Sequence, residues 1–192
     1  MALTKVLTGG IALDAVDNTI LKLDDDYALT GTVSGAGGGI VGQVIQTVKS
    51  STTTTNSKNL VAISGMTANM TCAATNSKVL IDLTVAIGAQ TASYGVVQLY
   101  IGGSVSAFIG SSVSGVQRSS VGNFAGGQSN LQLQGFSNSF LYSPNSTSQI
   151  AYALYWACGE DTPNIYLNRT HTNSTANAAT GISTITLTEI LA

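Results

Sequence analysis

From residue 40 onward the sequence is a succession of short apolar segments separated by turn residues, and this pattern constrains the fold most. Val, Ile, Thr and Tyr are frequent in the segments, and Gly, Asn and Ser separate them, which is typical of β-strands. No segment has the apolar spacing of an amphipathic helix. Strands are predicted for IVGQVIQTVK, NLVAISG, MTANMTC, KVLIDLTVAIG, YGVVQLYIGG, SVSAFIG, NLQLQGFS, IAYALYWACG, NIYLNR and ISTITLTEIL, and the polar run SSTTTTNS is predicted to be a connection.

One of the connections is predicted in detail. In VVQLYIGGSVSAFIG, Gly102 and Gly103 lie between two strand-like segments. Both glycines accept a positive φ, so they fit a two-residue hairpin of type I′ or II′. Many short antiparallel strands without helices predict a β-sandwich, a jelly roll or a barrel, and strand number alone does not distinguish these folds.

The segment IAYALYWACG is unusual because neither side of it is polar. As a strand it places Ile150, Tyr152, Leu154, Trp156 and Cys158 on one face, for which we predict the core, and Ala151, Ala153, Tyr155 and Ala157 on the other. A strand in a sheet with one solvated face normally alternates apolar with polar residues. We therefore expect the alanine and tyrosine face to be covered, by a neighbouring subunit or by a second layer of the same chain.

Charge is scarce and unevenly distributed. Charged residues make up 8% of the 192 residues, and the formal net charge is -2. This charge excludes a general attraction to nucleic acid or to an anionic membrane, and it favours a defined oligomer because little repulsion keeps monomers apart. A cyclic trimer with the doubly apolar strands IAYALYWACG and YGVVQLYIGG near its axis is the simplest oligomer that also covers their second faces. The segment 1–39 holds two lysines and five aspartates, which gives it a net charge of -3.

The chain is predicted to divide near residue 39. Residues 1–39 have thinly spread apolar positions and end in a glycine-rich hinge, so we interpret them as an attachment arm, followed by a β-domain over 40–192. We expect the acidic residues of the arm, Asp14, Asp17, Asp24, Asp25 and Asp26, to contact a basic partner surface. No secretory signal and no membrane-spanning stretch is recognisable, so we expect neither secretion nor membrane insertion.

The sequence offers little for catalysis. The single histidine, His171, lies in a polar segment for which we predict a solvent-exposed loop, and no nucleophile-elbow motif is present. Cys72 and Cys158 lack zinc-ligand spacing, so two buried free thiols are favoured over a disulfide. The run of three aspartates does not follow the ligand spacing of an EF-hand. We therefore expect no enzyme activity, no cofactor and no metal.

Two tyrosines near predicted loops could contact sugars. Stacked aromatic faces bind pyranose rings, and Tyr142 and Tyr166 lie closer to loops than Tyr152 and Trp156 do. They are the candidate glycan contacts.

Long stretches of the sequence resemble virion proteins of tailed bacteriophages, especially marine and cyanobacterial phages. The opening MALTKVLTGGIALDAVDNTILKLDDDYALTGTVSG resembles their N-terminal text, and QVIQTVK, LVAISGMTANMT, NSKVLIDLTVAIG, FLYSPNSTSQIAYAL, IYLNRT and GISTITLTEIL resemble the β-rich domain that follows it. The resemblance implies an attachment arm and an often trimeric jelly-roll knob, and it is the reason for favouring a jelly roll here. Long fibres carry repeat shafts, which this chain lacks.

Two functions of different classes follow from these observations. The first is a non-enzymatic structural protein of a phage virion, made in the host cytoplasm: a short fibre, a spike or a capsid decoration that binds other virion proteins through residues 1–39. The alternative is a receptor-binding, lectin-like module at a fibre tip that contacts host surface glycans. A polysaccharide hydrolase is disfavoured because no paired carboxylates are apparent.

Overall fold

The computed structural model of the protein describes residues 41–91, 93–125, 130–159, 164–174 and 176–191. Within these ranges the secondary-structure elements are all β-strands. No helix capable of crossing a membrane occurs in these ranges. The predicted all-β, antiparallel architecture is confirmed. The strands are β1 (Val41–Lys49), β2 (Thr53–Thr55), β3 (Val61–Met70), β4 (Lys78–Ala89), β5 (Tyr94–Ile101), β6 (Ser104–Val105), β7 (Gly122–Ala125), β8 (Leu133–Tyr142), β9 (Ile150–Cys158), β10 (Ile165–Leu167) and β11 (Ser183–Ile190).

The first sheet is built around β4. One edge of β4 pairs with β8, and the other edge pairs with β11 along its first half and with β10 at its end. Beyond these, β1 pairs with β11 and β2 pairs with β10. Because β10 and β11 lie end to end, as do β2 and β1, the sheet is four strand positions wide.

The second sheet has β9 between β3 and β5, and β5 pairs on its far side with β6 and β7. The chain alternates between the two sheets: β1 and β2, β4, β8, β10 and β11 belong to the first, and the other strands belong to the second. Two antiparallel four-position sheets connected in this order form a jelly roll, as favoured from the sequence.

The core lies between the two sheets. Its side chains come from both, with Leu99, Leu154 and Trp156 facing Ile81, Leu83, Leu187 and their neighbours. Burying each large apolar side chain of this kind contributes about 1.5–3 kcal/mol. Tyr152, Leu154, Trp156 and Cys158 are buried in this cluster and Ile150 packs against it, so the prediction for this strand face is confirmed.

Local predictions were right at the hairpin and wrong at four other places, one of which is β7, for which no strand was predicted. Gly102 and Gly103 connect β5 to β6 with φ values of 61° and 83°, as a type I′ turn requires. NLVAISG and MTANMTC, however, form one bulged strand, in which Gly65 has a φ of 79°. The polar run contains β2, and SVSAFIG contributes only the two residues of β6. Pairing partners distant in sequence decide these cases.

Side chains close the two open sides of the sandwich. On one side, Gln43 Nε2 and Thr47 Oγ1 of β1 donate hydrogen bonds to the carbonyls of Thr71 and Thr67, at 2.7 and 2.9 Å. On the other side, Asn138 Nδ2 of β8 donates to the carbonyl of Ser120 at 3.1 Å. These bonds satisfy carbonyls beside the edge strands β1, β3 and β8, where unpaired groups invite pairing with other chains.

The sandwich has two ends, called here the entry end and the far end. The entry end is where β1 begins, and Ile190, Lys78 and Tyr142 lie at this level. The far end is where β4 finishes and β10 lies. Val79 and Gly88, which mark the two levels, are nine residues apart on β4, or about 30 Å.

Candidate interaction surfaces

The outward face of β9 is only partly accessible. Ala151, Ala153 and Tyr155 are half-buried, whereas Ala157 is 2% exposed. The ring of Tyr155 stacks on that of Tyr100 on β5, with centroids 4.0 Å apart and an interplanar angle of 24°. The structure brings these residues together on one face, and their role in a subunit interface stays a prediction.

The buried half of this face is covered by the chain itself. Residues 106–121, here called the covering segment, follow β6 and lead into β7. Gln98 is outward-facing but 7% exposed, and its Nε2 donates to the carbonyl of Arg118 at 2.7 Å. Gln117 Nε2 donates to the carbonyl of Cys158 at 3.1 Å. A second layer of the same chain therefore covers the part of the face near Ala157.

The outward face of the first sheet carries exposed apolar side chains. A row across it consists of Val44, Thr188, Leu80 and Leu141, of which Val44 is 59% and Leu141 51% exposed. The next row is polar and internally bonded: Gln46 donates to Thr186, and Ser139 donates to Asp82. Among the described outward residues of these four strands, only Lys78 and Asp82 carry charge.

The two candidate glycan contacts lie at opposite ends. Tyr142 ends β8 opposite Val79, and its ring meets those of Phe108 and Tyr152 edge to face, each at 6.2 Å between centroids. Tyr166 lies opposite Gly88 and is 7% exposed. About 30 Å of strand separates the two levels, so the structure does not bring these tyrosines together for one sugar. Their binding role stays a prediction.

The turn after β10 is fixed by a buried asparagine. Asn168 has a φ of 61°, a conformation that asparagine tolerates better than most residues. Its Nδ2 donates to the carbonyls of Lys49 and Ser51 at 2.7 and 3.1 Å, and its Oδ1 accepts from Ser183 Oγ at 2.6 Å. The chain then folds back over β4, where a side chain at Gly88 would overlap the carbonyl of Arg169.

This turn places an arginine on the ring of Tyr166. The guanidinium carbon of Arg169 lies 4.0 Å from the ring centroid, and Nη1 donates to the carbonyls of Thr170 and His171 at 3.1 and 3.0 Å. His171 meets the same ring edge-on at 5.3 Å. The prediction of a solvent-exposed His171 was wrong: the residue is half-buried, with a buried Nδ1, because it packs on Tyr166. Sequence alone did not indicate Arg169.

A buried carboxylate ties the entry end together. Glu189 is inward-facing on β11, and it accepts hydrogen bonds from Gln43 Nε2 and from the backbone N–H of Ala73, both at 2.7 Å. Burial raises the pKa of Glu189, but the hydrogen bonds from Gln43 and Ala73 and the nearby Ser77 outweigh it, so the pKa lies below its ordinary value. Gln43 thereby connects β1, β11 and the β3–β4 loop.

The thiols match their prediction. Cys72 and Cys158 are both free and buried. Burial, and then the nearby Glu189 carboxylate, raise the pKa of Cys72, which keeps this thiol protonated and unreactive. No group of three metal-ligating side chains occurs among the residues that the structure describes. The predicted docking residues Asp14, Asp17, Asp24, Asp25 and Asp26 lie outside the described residues.

Comparisons with known proteins give little guidance. No protein-family model and no curated protein matches this sequence. Among solved structures, the chain is similar to one in "Structure of infectious bursal disease virus Gx strain", with a TM-score of 0.38 and 12% sequence identity. The match covers 86% of this chain and 46% of that chain, so the protein spans less than half of the matched chain. A TM-score this low does not establish a common fold.

Proposed function

We propose that the protein is a non-enzymatic structural component of a phage virion: a short fibre, a spike or a capsid decoration. Residues 1–39 attach it to other virion proteins, and the jelly roll forms the projecting or covering body. The proposal starts from the resemblance of the sequence to phage virion proteins. The jelly-roll strand order agrees with the β-domain which that resemblance implies, although a fold shared by many functions does not define one.

The observation that carries the proposal is the chemistry of the two broad outer faces. One combines half-buried alanines with a stacked tyrosine pair, and the other exposes Val44 and Leu141 in one row across the sheet, with almost no charge. Contiguous apolar patches on a protein surface mark interaction sites. A face that is almost uncharged also favours permanent assembly over a monomeric state in solution.

For the oligomer we propose a cyclic homotrimer in which Ala151, Ala153 and Tyr155 lie close to the axis. Small side chains let strands of neighbouring subunits approach closely, and the Tyr100–Tyr155 stack supplies a flat aromatic surface for contact. Light scattering of the purified protein measures the mass. Three times the 19.5 kDa chain mass is expected, and a monomer at micromolar concentration would contradict the trimer.

The virion role is tested with particles of a virus that encodes this sequence. Mass spectrometry of purified particles should detect the protein, and labelled antibody should place it at the particle surface. A variant lacking residues 1–34 should fold and keep its oligomeric mass but fail to join particles, because the attachment segment is missing. Incorporation of this variant at the wild-type level would contradict attachment through the arm.

The alternative function is a lectin-like module that binds host surface glycans. In this alternative, Tyr142 and Tyr166 contact glycans at separate places, because they lie at opposite ends of the sandwich. The feature that favours this alternative is the guanidinium of Arg169 on the Tyr166 ring.

A further inference from the structure

We propose that Arg169 is the centre of a carboxylate-binding site whose ligand is an acidic sugar of a surface polysaccharide. The chemistry of the site is independent of the virion role. Its biological setting, recognition of a host surface, rests on the proposed function and deepens the lectin-like alternative.

The free donors of Arg169 have the geometry that a carboxylate needs. A guanidinium has five N–H groups, and the two on Nη1 are directed to the carbonyls of Thr170 and His171. The remaining donors on Nε and Nη2 lie side by side on one edge, which matches the two oxygens of a carboxylate. Among the described residues, no acidic side chain forms an ion pair with this group.

The guanidinium is also held in place before any ligand arrives. It rests on the ring of Tyr166, which is itself 7% exposed, and its two carbonyl acceptors follow directly in the chain. The buried Asn168 fixes the turn that presents it. An arginine that is already fixed loses little conformational entropy on binding. Little of the favourable free energy of a bidentate contact is therefore offset by ordering the side chain.

The surroundings favour a sugar over an acidic peptide. Residues 172–174 of this loop are polar and carry no ionisable side chain: Thr172 is half-buried, and Asn173 and Ser174 are exposed. The nearby Lys49 ammonium donates to Ser51 Oγ and lies beside Gly65 on β3, away from this loop. One cation among hydroxyl and amide groups suits a sugar unit with one carboxylate and several hydroxyls, whereas an acidic peptide run requires several cations.

Arg169 lies at the far end of the sandwich, at the level of Gly88 and about 30 Å along β4 from the level of Val79.

The test titrates the full-length protein with trigalacturonate, and with neutral trigalactose as the matched control, by isothermal titration calorimetry. We expect trigalacturonate to bind and trigalactose to bind at least about tenfold more weakly, because charge-assisted hydrogen bonds to the carboxylate are lost. Arg169→Gln should weaken trigalacturonate binding about tenfold or more. Arg169→Lys should also weaken it, because an ammonium lacks the two parallel N–H donors of a guanidinium. Arg118→Gln, in the covering segment outside the second sheet, should bind as the wild type does.

A second measurement needs no variant and so does not depend on folding. In the wild-type protein, the arginine Nε–H resonances distinguish the two arginines, and trigalacturonate should shift that of Arg169 and leave that of Arg118 in place. Equal binding of both trisaccharides, or unchanged affinity in Arg169→Gln, would overturn the site. Tighter binding of a short aspartate peptide than of trigalacturonate would overturn the sugar assignment. Neither result bears on particle incorporation, which tests the virion role separately.

Discussion

The two broad outer faces of the sandwich share one backbone geometry and differ in what lies over them. Outside the second sheet, the covering segment buries Gln98 and the region around Ala157, and only the part around Ala153 is left half-open. Outside the first sheet, Val44 and Leu141 are more than half exposed within the described residues. The strand with two apolar faces, β9, is thus partly covered by another segment of the same chain. In β1, by contrast, the outward valines are exposed.

The difference teaches that strand alternation predicts orientation but not covering. The alternation of apolar and polar residues shows which side chains share a face, because successive side chains of a pleated strand point to opposite faces. Whether the outward set meets water depends on a segment that is far away in sequence, such as residues 106–121. Substitutions matched between the two faces therefore measure the covering directly.

The largest effect is expected from a matched pair of leucines. Leu154→Ala removes a core side chain from β9 and should lower the free energy of unfolding by about 2–5 kcal/mol, because a cavity remains. Leu141→Ala, on the exposed face, should change it by less than about 0.5 kcal/mol. Urea unfolding followed by fluorescence checks both. An equally large loss in Leu141→Ala would mean that the first face is covered in the protein in solution.

The next effect on stability concerns Glu189, which faces inward on β11. The outward side of the same strand carries threonines. The pKa of Glu189 is lowered in the folded protein, so its contribution to stability is present above the ordinary glutamate pKa of about 4.3 and is lost as pH falls through the lower folded pKa. Glu189→Gln should therefore lose less stability than the wild type between pH 6 and about pH 3. Unfolding curves at both pH values measure this, and parallel losses in the two proteins would contradict it.

A smaller effect is expected from two outward glutamines. Gln98→Ala removes the bond to the Arg118 carbonyl and should lower the free energy of unfolding by about 1–2 kcal/mol, because a partly buried acceptor loses its donor. Gln46→Ala, on the exposed face, breaks the bond to Thr186 but should cost less than about 0.5 kcal/mol. Hydrogen exchange should accelerate in residues 106–121 of the first variant alone. Unchanged exchange there would show that Gln98 does not hold the covering segment.

Much of the fold could be predicted from the sequence because its signals are local. The Gly102-Gly103 turn, the face of Tyr152, Leu154 and Trp156, and the all-β class each follow from residues close together in the chain. The bulge that makes one strand of two predicted ones required the pairing with β9, which no local pattern contains. β2 lies in a polar run and forms because β10 offers a partner edge.

The candidate site was harder to predict for the same reason. Tyr166 was recognised as an aromatic residue near a loop, but its ring is occupied by Arg169 and His171. That arrangement depends on the positive φ of Asn168 and on its contacts with Lys49 and Ser51, more than a hundred residues earlier. One signal was available in sequence: Gln98 is the single polar residue within an otherwise apolar strand segment, and it marks the place where the chain covers itself.

The smallest effect on stability, and the sharpest on assembly, is expected from one change made on both faces. Ala153→Arg and Thr186→Arg each introduce a long cation at a half-buried outward position of an inner strand. Both should leave the monomer's free energy of unfolding within about 0.5 kcal/mol, because arginine extends its charge to water. Only Ala153→Arg should reduce the mass measured by light scattering, since three cations would meet near the proposed trimer axis. If Thr186→Arg dissociates the oligomer and Ala153→Arg does not, the subunits assemble through the outward face of the first sheet instead.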